Sequence, residues 1–207
     1  VSRYRRDLAM KPAGVKFPFV LKAGEERVFD FGQNHAGVPA FAFAAAKGTK
    51  LVVKTAEMLN DSGEKSRGND GPAGTLFRLN LRSARSAVNY VFAGGRAEFM
   101  PLFTFFGYRY LSLKADREVT VADMCAIPVT DVAAADERGT LETGDASLNR
   151  FISNCRWGML SNYLSIPTDC PQRDERIGWA ADTQMFAPAA LCLADVGPFL
   201  SKYAHDL

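Results

Sequence analysis

The sequence predicts an antiparallel β-sandwich followed by a group of α-helices. Short runs of aromatic and β-branched residues recur over the first two thirds of the 207 residues, with glycine-rich turns between them. From Asp145 onward, the apolar residues instead follow helical spacing. Strands that recur without helices between them favour a sandwich, and a β block followed by an α block indicates two domains. We place a sandwich domain with an N-terminal lead-in at residues 1–138 and a helical domain at 139–207.

Six strands are expected in the first block, at residues 27–31, 39–45, 50–56, 75–80, 87–92 and 108–114. They are bounded by turn-forming residues such as Gly32, Gly48 and the Gly94-Gly95 pair. Residues 60–74 are polar and rich in glycine, which predicts a long surface loop.

Three helices are expected in the second block. Asp145 suits the N-cap of the first, because its carboxylate can accept hydrogen bonds from the free N–H groups of the first turn. The second covers about residues 181–193, and the third begins at Asp195. Three helices can bury little apolar surface by themselves. We therefore expect them to pack on the sandwich or on further helices.

Composition and charge are those of an ordinary globular protein. The chain has 47% hydrophobic residues, and 25 Lys and Arg stand against 23 Asp and Glu, for a net charge of +2. This balance gives no electrostatic reason to expect nucleic acid or an anionic membrane as partner. Since no apolar run reaches roughly 18 residues, no membrane-spanning helix is expected.

The sequence suggests neither a metal site nor an organic cofactor. Its four cysteines are widely spaced without a CxxC pair, and its two histidines lie far from them, so a zinc site is not expected. The first residues do not have the pattern of a secretory signal, and both cytoplasm and periplasm stay open as compartments. The oligomeric state is also open.

The residues most suited to chemistry lie between the first two helices. Residues 169–182 contain two arginines, one tryptophan and four carboxylates: Arg173, Arg176, Trp179, Asp169, Asp174, Glu175 and Asp182. One interpretation is a charged surface loop, whose ion pairs would stabilise the fold little. The indole beside these charges favours a sugar site instead, because pyranose C–H faces pack on indole while charged groups bind the hydroxyls.

Clustered carboxylates also suit glycoside cleavage. Several carboxylates close together cannot all ionise freely, so one can keep its proton near neutral pH. Cleavage of a glycosidic bond needs such an acid at the leaving oxygen, and a second carboxylate as base or nucleophile.

Three strings in order resemble bacterial α-L-rhamnosidases of glycoside hydrolase family 78. They are Asp30-Phe-Gly-Gln-Asn-His-Ala-Gly37, Pro101-Leu-Phe-Thr-Phe-Phe-Gly-Tyr-Arg-Tyr110 and, most specific, Asp169-Cys-Pro-Gln-Arg-Asp-Glu-Arg-Ile-Gly-Trp179. Together they place residues from about 20 to 207 within the family pattern.

The resemblance implies a β-sandwich leading into an (α/α)6 toroid, and hydrolysis of terminal α-L-rhamnose with inversion. It implies that Glu175 is the general acid, that Asp169 and Asp182 hold the rhamnose hydroxyls, and that Arg173 and Trp179 make further sugar contacts. The expected partner is therefore a rhamnose-containing glycoside or oligosaccharide.

Two departures from the family pattern limit this prediction. The family usually has Thr-Gly where this chain has Ala180-Ala181, which leaves the sugar preference open. The family's general base is a glutamate far downstream, and no residue here corresponds to it. We therefore expect a fragment that is inactive by itself. The alternative is a non-catalytic carbohydrate-binding or scaffolding module.

The other two strings have structural interpretations. The first predicts a strand followed by a turn, with Asn34 and Gly37 at positive φ. His35, within it, is interpreted as a non-catalytic polar residue. The aromatic residues of the second are expected to pack in the core and across strands: Phe103, Phe105, Phe106, Tyr108 and Tyr110.

Overall fold

A computed structural model describes residues 2–207 as a strand-rich first part followed by three helices. The strands β1 to β12 are Arg3–Tyr4, Phe19–Leu21, Glu26–Ala45, Lys50–Ala56, Met58–Leu59, Leu76–Phe77, Ala87–Val91, Gly95–Phe99, Phe106–Ala115, Val119–Thr130, Tyr163–Leu164 and Ile166–Pro167. The helices α1 to α3 are Ala146–Asn162, Ala180–Leu193 and Gly197–Asp206.

Eight strands form one antiparallel sheet that curls over its own core. Its order is β1-β10-β3-β9-β4-β7, with β2 on β10 and β8 on β3. The curl brings Phe19 of β2 against Phe29 of β3, 5.5 Å between ring centroids, although β2 pairs only with β10. The enclosed side chains are almost wholly buried, among them Phe43, Leu111 and Val121. The predicted antiparallel, sheet-rich sandwich followed by helices is confirmed.

Strand β3 corrects the prediction of two separate strands at 27–31 and 39–45. It runs unbroken from Glu26 to Ala45, and its register against β9 shifts between Asp30 and His35. Gly32, at φ +78°, lies in this irregularity, so it forms a bulge within the strand and does not end it. The sequence predicted a positive φ at Asn34 and at Gly37, but neither backbone is left-handed. Gly37 is needed for close approach, because a Cβ there would lie 2.5 Å from the Ile127 carbonyl oxygen.

Other strands were missed or misplaced. The twelve-residue β10 was not predicted, because a register shift between Val121 and Asp123 breaks its alternation of apolar residues. Strand β8 was also missed. The predicted strand at 75–80 is a strand only at Leu76–Phe77. The predicted loop at 60–74 is confirmed, with buried Asn60 accepting a 3.0 Å hydrogen bond from the Asp70 N–H.

The three predicted helices are present. The Asp145 carboxylate caps α1 by accepting from the N–H groups of Ser147 and Leu148, at 2.7 and 3.2 Å. Helix α2 starts one residue earlier than expected, and α3 starts at Gly197 instead of Asp195. The apolar face of α1 is only partly covered, since Phe151 is 63% exposed. No helix among residues 2–207 has the length and apolar character needed to span a membrane.

The end of α1 packs against the middle of the sheet. The Ser161 hydroxyl accepts from the Ala36 N–H at 3.1 Å, and the Tyr163 carbonyl accepts from the Asp131 N–H at 2.8 Å. Leu164 is buried with Val38 and other side chains of β3 and β10. The expectation that the helices pack on the sandwich is therefore confirmed for α1.

Gly107 of β9 lies directly under the chain that follows these contacts. A Cβ at Gly107 would lie 2.6 Å from the Gln172 backbone nitrogen and 2.8 Å from its Cα. Because backbone atoms cannot move aside as a side-chain tip can, glycine at this position lets residues 170–176 approach the sheet.

His35 is buried in the centre of the sheet. It is 1% exposed, and its ring lies 4.4 Å from that of Tyr108. Its Nδ1 is 3.1 Å from the Gln33 carbonyl oxygen, while Nε2 has no hydrogen-bond partner among residues 2–207. Burial lowers the pKa of His35 to about 4, so the ring is neutral at pH 7.

We expect His35 to make the protein less stable at mildly acidic pH. Its pKa is about 4 when folded and 6.5 when unfolded, so below pH 6.5 only the unfolded chain gains the proton. The free energy of unfolding should therefore fall by about 3 kcal/mol between pH 6.5 and pH 4. Urea unfolding at several pH values measures this. In His35→Gln this part of the slope should be absent, and a slope equal to that of the parent would contradict the prediction.

Gly107→Ala should destabilise the fold by about 1–3 kcal/mol, since the added methyl group meets the backbone of Gln172. Gly158→Ala is the matched control, because Gly158 lies inside α1 with nothing within 4 Å of an added Cβ. That change should stabilise the protein by about 0.5–1 kcal/mol. Urea unfolding compares the two, and equal stabilities would show that Gly107 is not tightly packed.

Candidate sugar-binding site

The site begins in a tight hairpin after α1. Strands β11 and β12 pair around Ser165, whose φ is +67°. The Thr168 N–H then donates to the Asn162 carbonyl at 2.8 Å, which returns the chain to the end of α1. Asp169 follows with φ +63°, a conformation that aspartate tolerates better than most residues. The local backbone thus fixes where Asp169 lies.

A cavity of about 220 Å³ lies between α1, this hairpin and α2. Three of the five predicted site residues line it, namely Asp169, Trp179 and Asp182. The remaining lining is mostly apolar and consists of Cys155, Gly158, Met159, Asn162, Tyr163, Pro167, Thr183 and Phe186. The cavity therefore combines two carboxylates with apolar and aromatic surfaces.

Trp179 is held by the start of α2 and by α3. Its carbonyl accepts from the Thr183 hydroxyl at 2.8 Å. The preceding Gly178 has φ +74°, and its carbonyl accepts from the Tyr203 hydroxyl at 2.7 Å. Trp179 is 41% exposed, so an apolar surface remains open on one side of the cavity.

Glu175 and Arg173 do not line this cavity. The Glu175 side chain is 18% exposed, and its Oε2 forms ion pairs with Arg173 and with Arg82, the latter at 3.1 Å from Nη1. Neither contact has the geometry of a hydrogen bond, since Oε2 has no hydrogen-bond partner among the described residues. The predicted site is thus divided into a cavity group and a charged group that faces the sandwich.

Residues 171–176 are fixed to the sandwich by side chains on both sides of Glu175. The Asp174 carboxylate accepts from the Ser83 hydroxyl. The Arg176 guanidinium lies 4.0 Å from the centre of the Phe105 ring and donates to the Pro171 carbonyl at 2.6 Å. Burial lowers the pKa of this guanidinium. This segment therefore bears little likeness to a freely solvated charged loop.

The aromatic string at residues 101–110 has a mixed outcome. Phe106 and Tyr108 are buried as predicted, and Phe105 contacts Arg176. The prediction that Phe103 packs in the core or across strands is wrong, because this residue is fully exposed and its backbone has φ +59°.

Sequence reasoning missed several residues of the site. On α1, Cys155, Met159 and Asn162 are spaced by four and three residues, which places them on one helix face. Phe186 follows Asp182 by one helical turn on α2. That spacing could have identified them. For sandwich residues such as Arg82 and Glu57, no local sequence pattern indicated a place near the site.

Burial raises the pKa of the Glu57 carboxyl, while the charge of Arg173 acts in the opposite direction.

The described residues offer no cluster of three or more His, Cys, Asp or Glu side chains that could hold a metal ion.

Comparisons with known proteins support the resemblance noted from sequence. Residues 21–130 match the family model described as the bacterial alpha-L-rhamnosidase concanavalin-like domain. Residues 136–207 match the one described as the bacterial alpha-L-rhamnosidase 6 hairpin glycosidase domain.

Two curated relatives carry the name alpha-L-rhamnosidase. One from Formosa agariphila is 38% identical over 190 residues, covering 91% of this chain and 19% of the relative. One from Streptomyces avermitilis is 35% identical over 183 residues, covering 87% of this chain and 16% of the relative. The chain thus spans less than a fifth of their length.

Two solved structures show the same architecture. The α-L-rhamnosidase from Dictyoglumus thermophilum superimposes with a TM-score of 0.81 and 31% identity, covering 99% of this chain and 21% of that structure. The Streptomyces avermitilis α-L-rhamnosidase complexed with L-rhamnose superimposes with a TM-score of 0.81 and 30% identity, covering 100% of this chain and 18% of that structure. The chain belongs to the bacterial α-L-rhamnosidase family, glycoside hydrolase family 78.

Proposed function

We propose that this chain supplies the sugar-binding surface and the general acid of an enzyme that removes terminal α-L-rhamnose from glycosides. The observation that carries the proposal is the cavity that gathers Asp169, Trp179 and Asp182. Its relatives are named α-L-rhamnosidases, and one of the solved structures holds L-rhamnose. The expected partner is a rhamnose-containing glycoside or oligosaccharide.

The proposed sugar contacts follow from the chemistry of the cavity. The exposed indole of Trp179 suits the C–H face of a pyranose ring. The carboxylates of Asp169 and Asp182 suit the hydroxyls, because they are strong hydrogen-bond acceptors. Arg173 does not line the cavity, and its proposed role as a further sugar contact rests on the family resemblance alone.

Glu175 is proposed to give its proton to the leaving oxygen. It lies in the chain between two cavity residues, Asp169 and Trp179, and its side chain is largely sheltered from water. Inversion would further require a carboxylate that activates water on the other face of the sugar. We assign that role to no residue of this chain, and we propose that the 207 residues alone do not turn over substrate.

The division into residues 1–138 and 139–207 is also proposed. The two family matches, over residues 21–130 and 136–207, support a division near this point. The departure at Ala180-Ala181 falls in the first turn of α2, next to Asp182. We propose that it affects which sugars the cavity accepts.

A non-catalytic carbohydrate-binding module is the alternative. It is favoured by the position of Glu175, which does not line the cavity with the proposed sugar contacts. The two functions differ in turnover. Binding of L-rhamnose without hydrolysis of any rhamnoside by the complete protein that contains these residues would support the module.

L-Rhamnose should shift the indole N–H signal of Trp179 in an NMR titration of this chain. Ring-face contact changes the magnetic environment of the indole that lines the cavity. Trp157, the other tryptophan of the chain, packs with the helical core and is an internal control. Equal shifts for both, or a shift of Trp157 alone, would contradict the proposed sugar contact.

Glu175→Gln should lower kcat for rhamnosides with poor leaving groups by on the order of 100-fold or more in the complete protein. The loss should be much smaller for an activated aryl rhamnoside, because its aryloxide leaving group can depart without being protonated. Glu142→Gln is the matched control, since this carboxylate is exposed and its side chain forms no hydrogen bond or ion pair among residues 2–207. Similar losses on both kinds of substrate would remove Glu175 from the acid role.

A further inference from the structure

Arg82 is the sandwich residue that contacts the proposed acid. It follows the short 3-10 turn Leu79–Leu81 and precedes strand β7, far from residue 175 in sequence. Its Nη1 lies 3.1 Å from Glu175 Oε2, while Arg173 contacts the same oxygen from within the segment. Glu175 is therefore held between one cation of its own segment and one cation of the sandwich.

The backbone at Arg82 is strained. Its φ and ψ are +55° and −121°, a combination that non-glycine residues rarely adopt. Such a conformation costs about 1–3 kcal/mol and persists only where surrounding contacts impose it. Here Ser83 donates to Asp174, and Arg78 donates to the carbonyls of Thr55 and Ser86 at 2.7 and 3.1 Å. The loop is thus anchored on both sides of Arg82.

Four buried polar atoms without hydrogen-bond partners belong to residues at this contact or next to it in the chain. Among residues 2–207 they are Asn80 Oδ1, Gln172 Oε1, Arg173 Nε and Glu175 Oε2. Each belongs to Glu175, to Arg173 or to a residue within two positions of Arg82 or Arg173. Buried groups of this kind are costly when unpaired, and they concentrate where a protein is built to bind or react. The segment around Glu175 therefore holds polar atoms whose hydrogen bonds the described residues do not supply.

We propose that Arg82 is a positioning residue for Glu175, supplied to the catalytic segment by the sandwich. This inference rests on the proposed function, in which Glu175 is the acid. When the acid gives up its proton, a negative charge develops on its carboxylate. The Arg82 guanidinium, already 3.1 Å from Oε2, stabilises that charge without reorganisation.

The proposal requires an effect that depends on the leaving group. Proton transfer contributes most when the departing oxygen is strongly basic, so the loss of Arg82 should harm poor leaving groups most. A purely structural role would instead lower activity equally for all substrates. Sugar binding should change little, because Arg82 does not line the cavity of Asp169 and Trp179.

The test compares variants of the complete protein that contains these residues. Arg82→Met removes the charge and keeps the side-chain length, and Arg82→Lys keeps the charge. Arg85→Met is the matched control, since Arg85 is exposed on the same loop and its side chain forms no ion pair among residues 2–207. Ser83→Ala, which loosens the loop from Asp174, is a second variant that leaves both members of the ion pair intact.

We expect R82M to lower kcat by about tenfold or more for alkyl rhamnosides and by less than about threefold for an activated aryl rhamnoside. KM should stay within about twofold, R82K should recover most of the loss, and R85M should match the parent. S83A should change kcat in the same direction by a smaller factor. If R82M does not fold, the S83A variant provides the test of the proposal.

Three outcomes would overturn the proposal. R82M could match R85M on every substrate, its loss could be equal for all leaving groups, or R82K could fail to recover activity. E175Q, measured beside them, separates the two proposals. If E175Q shows the leaving-group effect and R82M does not, only the role of Arg82 is wrong. If E175Q shows none, the acid assignment itself is wrong.

Discussion

The close packing of residues 170–176 against the sandwich is the constraint on which the proposed site depends. Gly107 allows the backbone of Gln172 to touch the sheet, and Phe105 covers the guanidinium of Arg176. Without these contacts, a charged segment between two helices would be solvated, and its ion pairs would contribute little. The sheet converts it into a segment with a defined conformation.

This packing gives the sandwich a direct part in the site. The sheet holds the end of α1 through Ala36 and Ser161, and its loops reach Glu175 through Arg82. The proposed sugar contacts and the proposed acid are consequently held by different parts of the fold. The cavity group depends on α1, α2 and α3, whereas the charged group depends on loops of the sheet. On the proposed function, a change in either part can therefore alter sugar binding and proton transfer separately.

Several features were predictable because their causes are local. Helix α1 and its cap follow from the spacing of apolar residues and the carboxylate of Asp145. The polar loop at 60–74 follows from its composition. Strand β10 was not predictable in this way, because a bulge shifts its pattern by one residue. Gly32 misled the prediction in another way. It was interpreted as a turn that ends a strand, but it forms a bulge inside β3.

The sequence by itself determined the order of the β and α parts, the family pattern, and the residue types that suit a sugar. Only the tertiary structure decided that Asp169, Trp179 and Asp182 share a cavity while Glu175 turns toward Arg82. The physical reason is that these neighbourhoods are made by long-range packing. Residues 82 and 175 are far apart in the chain, and no local pattern of charge or periodicity records which surface of the sheet a distant segment will touch.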